Sequence, residues 1–131
     1  MQENNSENYK SWFKLAQQHI VSARGILDSE VTPDVCFLSH QVAEKCLKGL
    51  LEFSNQTPPK IHDLLRLESL IEEDFDQITS IHEQLKLLNQ YYLPTRYPDI
   101  EYEMTDDEAR KAFEAAKEVN EFVFDIIEQD K

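Results

Sequence analysis

Five side chains in this 131-residue sequence have the types and neighbours needed to hold an anion. Lys45 and Lys48 fall on one side of a helical segment with Gln41 and Glu44, because residues three and four apart share a helix face. His62 stands at the mouth of a following helix. Arg96-Tyr97 lies in a run dense in aromatics and proline, Tyr91-Tyr92-Leu93-Pro94-Thr95-Arg96-Tyr97-Pro98-Asp99. A guanidinium in a constrained loop donates two parallel hydrogen bonds to an oxyanion, and a tyrosine beside it adds a stacking face and a hydroxyl. Lys45, Lys48, His62, Arg96 and Tyr97 are therefore the candidate clamp for a nucleotide phosphate. The competing reading is structural. In it the lysines belong to an exposed face of i,i+3 and i,i+4 ion pairs, and Arg96 pairs with Glu44 or Asp99 to tie its loop to the body of the protein.

Metal chemistry has little to stand on. The four histidines, His19, His40, His62 and His82, lie on four different segments. Only His40 and Glu44 have a ligand-like spacing. His40 falls at the margin of an apolar arc, between Leu47 and Leu51 on a helical wheel, and reads as a hydrogen-bonded structural residue. The acids Asp99, Glu101, Glu103, Asp106, Asp107 and Glu108 do not alternate around a central glycine as a calcium loop does. Half of them suit a helix start instead. Cys36 and Cys46 sit ten residues apart in one helical segment, about 15 Å along its axis. They cannot pair, and read as reduced core thiols of a cytoplasmic protein. No metal and no cofactor is expected.

These residues hang on helices. Trp12, Ala16, Ile20, Ala23 and Leu27 recur at three and four, predicting a helix over residues 9–27. Thr32-Pro33 restarts the chain as an N-cap followed by the residue suited to the first helical position. From there to residue 53, Leu38, Val42, Ala43, Cys46, Leu47, Leu50, Leu51 and Phe53 cover more than half the circumference, which predicts a central helix. Gln41, Glu44, Lys45, Lys48 and Glu52 form the narrower polar strip. Pro58-Pro59 stiffens the next connection. Apolar spacing then predicts helices over about 62–73 and on to 91, the latter through Ile78, Ile81, Leu85 and Leu88. Thr105 with Glu108 is a capping box for a last helix carrying Ala109, Ala112, Phe113, Ala116, Val119, Val123, Ile126 and Ile127. The fold class is all-α, an up-and-down bundle of about five helices. Residues 1–131 are expected to form one domain, with 1–8 a flexible tail.

Composition narrows the function classes. Two glycines are too few for a β-rich fold or for the close backbone approach of a Rossmann or P-loop phosphate site. The formal charge is −13, and it is uneven. Seven acids and six bases precede position 61, whereas nineteen acids and seven bases follow. A chain this acidic is a poor match for the counterion-releasing capture of DNA or RNA. No apolar stretch reaches the ~20 residues of a membrane span, and the polar start is no signal peptide.

Phe37, Gln41, Ala43-Glu44-Lys45-Cys46-Leu47-Lys48 and Leu50-Leu51 resemble the signature helix of the HEPN family, the higher eukaryotes and prokaryotes nucleotide-binding domain. Ile61-His62-Asp63-Leu64 after the proline turn resembles the family's second block. Tyr92 with Arg96-Tyr97-Pro98-Asp99 resembles its third, and the aromatic first helix with Trp12 and Ala16 also fits. The likeness runs in order over nearly the whole chain. It implies a five-helix bundle, commonly a homodimer, often encoded beside a minimal nucleotidyltransferase. Some members are nucleotidyltransferase-associated helical domains suggested to bind nucleotide. Others are metal-independent RNases, including toxins of toxin–antitoxin pairs, which use an Arg followed after four to six residues by a His.

That RNase spacing is absent. The positions five to seven before each histidine hold Trp12, Phe13 and Lys14; Pro33, Asp34 and Val35; Asn55, Gln56 and Thr57; and Phe75, Asp76 and Gln77. The sequence therefore points to a non-catalytic HEPN-type protein, dimeric, working with a nucleotidyltransferase-type partner and binding a nucleotide or other phosphorylated ligand. One alternative is a divergent RNase with His62 moving the proton and Arg96 clamping the phosphate. Another is a pure interaction module whose polar residues are internal struts.

Overall fold

The structure is a computed structural model, and it describes residues 2–27, 32–92 and 105–129. Within those residues the chain forms α1 (Gln2–Leu27), α2 (Thr32–Phe53), α3 (Leu64–Glu72), a 3-10 turn (Asp76–Ile81), α4 (His82–Asn89) and α5 (Asp106–Gln129). The all-α bundle expected from apolar periodicity is what forms.

α2 is the centre. It packs on each of the other four helices, most extensively on α1 and then on α5. Val42, Ala43, Cys46, Leu47 and Leu50 are completely buried, and withdrawing each leucine from water contributes about 2 kcal/mol. α1 comes close because Gly49 carries no side chain. The Phe13 ring occupies the space that a Cβ would take there. α5 closes on the other side with a run of small residues, Ala109, Ala112, Ala115 and Ala116, all buried. Its start is capped by Thr105, whose Oγ1 accepts from the Glu108 backbone N–H at 3.0 Å. The Glu108 carboxylate accepts instead from the Tyr91 hydroxyl at 3.1 Å, which ties α5 to the end of α4.

Boundaries differ from the periodicity where periodicity has nothing to read. α1 extends back to Gln2, because residues 2–8 hold no apolar residue to mark a face. The segment predicted as one helix to residue 91 begins as a 3-10 turn and becomes α-helical only at His82. Apolar residues three apart fit both geometries over a single turn.

The turn after α2 matters most for function. Asn55 adopts a left-handed φ of 66°. The Gln56 N–H bonds to Leu51 O at 2.9 Å and the Asn55 N–H to Glu52 O at 3.0 Å. This is the Schellman arrangement, which satisfies the last carbonyls of the helix and reverses the chain. With Pro58-Pro59 following, residues 54–63 are led back along α2.

Candidate functional site

The reversed segment is anchored at its far end by two helices. Asp63 caps α3, its Oδ1 accepting from the backbone N–H of Leu65 at 3.1 Å. Asn89 of α4 donates to the same Asp63 oxygen at 3.1 Å and accepts from the Leu64 N–H at 2.8 Å. His62, one residue before the cap, is thereby held against the polar strip of α2.

Glu44 and Lys48 occupy that strip one turn apart, and His40, which the helical wheel put at the margin of the apolar arc, stands one turn before Glu44 and faces it. The strip is not the exposed face that its composition suggests. His40 and Glu44 are 0% and 1% exposed, and Lys48 only 6%. Trp12 of α1 covers Lys45 and Lys48, each ammonium lying 5.7 Å from the ring centroid, a cation–π distance. Segment 54–63 covers the rest.

Glu44 is the hub. Its Oε2 accepts from Lys48 Nζ at 3.0 Å, and Lys45 Nζ lies 3.6 Å from the same oxygen. Its Oε1 accepts from His62 Nδ1 at 3.0 Å. Burial alone pushes the Glu44 carboxyl up. The hydrogen bonds from His62 and Lys48, with the charges of Lys45 and Lys48, outweigh burial and hold it below its ordinary value. The group stays a carboxylate because these positive and donating neighbours converge on it.

Two histidine tautomers follow from their partners, since oxygen acceptors demand a proton on the facing nitrogen. His40 Nε2 lies 2.9 Å from the His62 carbonyl oxygen and donates to it. Its Nδ1 faces oxygens too, Gln41 Oε1 at 3.3 Å and Glu44 Oε1 at 3.8 Å; with the ring's one proton on Nε2, Nδ1 accepts only if the Gln41 amide turns its nitrogen toward the ring. Burial lowers the His40 pKa and keeps the ring neutral. His62 holds a proton on Nδ1, facing the carboxylate. Its side chain is 47% exposed. The Tyr92 ring lies beside both imidazoles, 5.2 Å from His40 and 5.9 Å from His62 between centroids. His19, on α1, has its pKa lowered by burial and by the Lys45 charge.

Of the five residues picked out in the sequence, the structure brings Lys45, Lys48 and His62 together around one carboxylate. Arg96 and Tyr97 lie outside the described residues. Lys48 spends its ammonium on Glu44, whereas Lys45, with 17% of its side chain exposed, and His62 reach the surface. Sequence reasoning missed Glu44 as the organiser and Tyr92 and Trp12 as walls. The signal was present in Glu44, an acid flanked by His40, Lys45 and Lys48 on one face. Which of these face outward was set by the covering segments. Among the described residues no group of three or more His, Cys, Asp or Glu is placed to hold a metal ion. A groove of about 390 Å³ between α4 and α5, floored by Leu87 and Ala115, is lined by none of these site residues. No helix among the described residues is long and apolar enough to cross a membrane.

The geometry is that of a carboxylate-supported histidine beside an accessible ammonium, a set able to receive an anion or to move a proton. Comparison with known proteins agrees with the residue blocks that carry this set. No protein of curated function matches the chain in sequence. Among solved structures, TT1696 from Thermus thermophilus is similar at 32% identity and a TM-score of 0.81, over 89% of this chain and 96% of that one. ST0689, described as an archaeal HEPN homologue, is similar at 28% identity and a TM-score of 0.73, over 91% and 97%. The HEPN domain profile matches residues 9–127, which span α2, the His62 segment and all but the ends of α1 and α5, and the chain belongs to the HEPN family.

Proposed function

We propose that this HEPN domain binds a nucleotide or another phosphorylated ligand, and that it works as a dimer with a nucleotidyltransferase-type partner rather than as an RNase. The observation that carries the reading is the meeting of Lys45 and His62 on Glu44, with 17% and 47% of their side chains exposed. Lys48 acts through Glu44 by holding the carboxylate in place. Arg96 and Tyr97, singled out in the sequence, are assigned to the same ligand set. The missing Arg-to-His spacing argues against the family's RNase chemistry.

The test has two parts. Adenine and guanine nucleotides should raise the melting temperature of the wild-type chain, and Lys45→Gln or Arg96→Gln should weaken that shift. Light scattering should return a dimer, and the protein should co-elute with the product of the neighbouring gene. A strict monomer without a nucleotide-dependent shift overturns the reading.

One observation favours a second reading. The Glu44–His62 hydrogen bond at 3.0 Å is also the support a general base needs. A divergent, metal-independent RNase would cleave single-stranded RNA in the presence of a chelator and lose that activity in both His62→Ala and Arg96→Ala.

A further inference from the structure

We propose that the outer face shared by α1 and α5 is an interface between two copies of this chain, α1 of each copy lying along α5 of the other. The inference rests on the dimer reading above and deepens it by naming the face and the charges that close it.

Helical spacing builds two stripes on that face. Gln17 donates to Asn120 at 2.9 Å, and the Arg24 guanidinium lies 5.1 Å from the Phe113 ring centroid, so α1 and α5 run antiparallel, side by side. Beside that seam, Lys14, Gln17, Val21 and Arg24 recur at three and four along α1 and are all exposed, a spacing that puts them on one side of the helix. On α5, Glu114, Lys117 and Glu121 repeat the same spacing, with Asp125 one turn further. Val21 is 71% exposed, more than any other large apolar side chain among the described residues. It lines an open groove of about 450 Å³ with Lys14, Gln17, Gln18 and Ser22. Trp12, about two and a half turns before Val21, projects from the opposite side of α1, so this face points away from the Glu44 site.

Charge selects the occupant. From residue 9 to 27, α1 carries Lys10, Lys14 and Arg24 and no acid. α5 carries eight acids against Arg110, Lys111 and Lys117. Lys111 is taken by Asp107 at 3.2 Å, and Lys117 lies 3.7 Å from Glu114. Among the described residues Lys14, Glu121 and Asp125 enter no ion pair. Laying α1 on its own copy would set cation against cation, and laying α5 on its own copy would oppose two acidic ridges. A two-fold axis normal to the face avoids both. It reverses the second α1, which then runs parallel to α5 and brings the two stripes into register. Lys14 of one copy meets Glu114 of the other, Val21 packs on the stems of Lys117 and Glu121, and Arg24 falls between Glu121 and Asp125. The symmetry makes every contact twice.

Sedimentation equilibrium of the full chain, over a concentration series in low salt, decides this. The wild type should be a dimer that loosens as salt rises, because the paired charges lie at the surface. Lys14→Glu and Glu114→Lys change the net charge in opposite directions, yet each should weaken association at least about tenfold, since like charges then meet twice in one dimer. Mixed in equal amounts, the two variants should dimerise again, because both contacts then join opposite signs. Val21→Asp, at a position exposed in the single chain, should also weaken the dimer. Circular dichroism should show wild-type helicity in all three variants. A dimer that keeps its strength in both charge reversals overturns this face and leaves the dimer reading standing. Variants that dissociate and do not reassociate on mixing overturn the pairing of α1 with α5. A wild type that is a monomer at every concentration overturns this inference and the dimer reading together.

Discussion

Lys48 donates to Glu44 Oε2 at 3.0 Å one turn along α2, with side-chain exposures of 8% and 1%. The two partners are not equivalent, because Glu44 also receives His62 and lies near Lys45, whereas the Lys48 ammonium depends on Glu44 and the Trp12 face. Breaking a buried pair from one side leaves an uncompensated charge and costs several kcal/mol. Glu44→Ala should therefore lower unfolding stability by about 3 kcal/mol in urea. Lys48→Met keeps the apolar stem and leaves Glu44 two partners, so its loss should be about half of that. Equal losses would show that the carboxylate is not the hub.

Acid should destabilise the fold in two steps. A histidine whose folded pKa is depressed binds its proton more readily when unfolded, so protons pull toward the unfolded state. The contribution of neutral His40, with His19 beside it, is present above the ordinary value of 6.5 and is lost as pH falls below it. Glu44 is depressed as an acid. Its contribution is present above the ordinary 4.5 and is lost as pH falls through its lower folded value. Scanning calorimetry should show the melting temperature falling from pH 7 to 5.5 and again below pH 4.5. His40→Gln should flatten the first step while leaving the second.

The two glycines should respond in opposite ways to alanine. At Gly49 the new Cβ would enter the Phe13 ring, which is itself buried. Overpacking of this kind costs about 1–3 kcal/mol. Around Gly25, near the end of α1, nothing lies within 4 Å of the built Cβ, so Gly25→Ala should stabilise by up to about 1 kcal/mol through helix propensity. Chemical denaturation of the two variants separates packing from propensity in one pair of measurements.

Neither cysteine should react in the native state. Both are fully buried and unpaired. Burial pushes each thiol up to about 12, with the Glu108 charge adding to the effect at Cys36. Only the thiolate is nucleophilic. Iodoacetamide at pH 8 should label neither residue in buffer and both in urea. Labelling of Cys36 in buffer would mean that the start of α2 opens.

The helical class, the central place of α2, the N-cap at Thr105 and the buried cysteines are legible in the sequence, because each depends on neighbours within a turn or two. The family blocks are legible for the same reason, and so is the grouping of Gln41, Glu44, Lys45 and Lys48 on one face. A local pattern cannot say which face water reaches. The strip reads as solvated because its residues are charged, yet Trp12, from a helix more than thirty positions away, and the segment returning through Asn55 and Pro58-Pro59 cover it. That burial makes Glu44 the organising carboxylate and turns Lys48 inward. It also fixes the Nδ1 proton of His62 against Glu44 Oε1. Residue types and helical spacing determined what chemistry this chain carries. The long-range packing of α1 and of the reversed segment decided which groups are withdrawn from water, and desolvation is what separates a strut from a site.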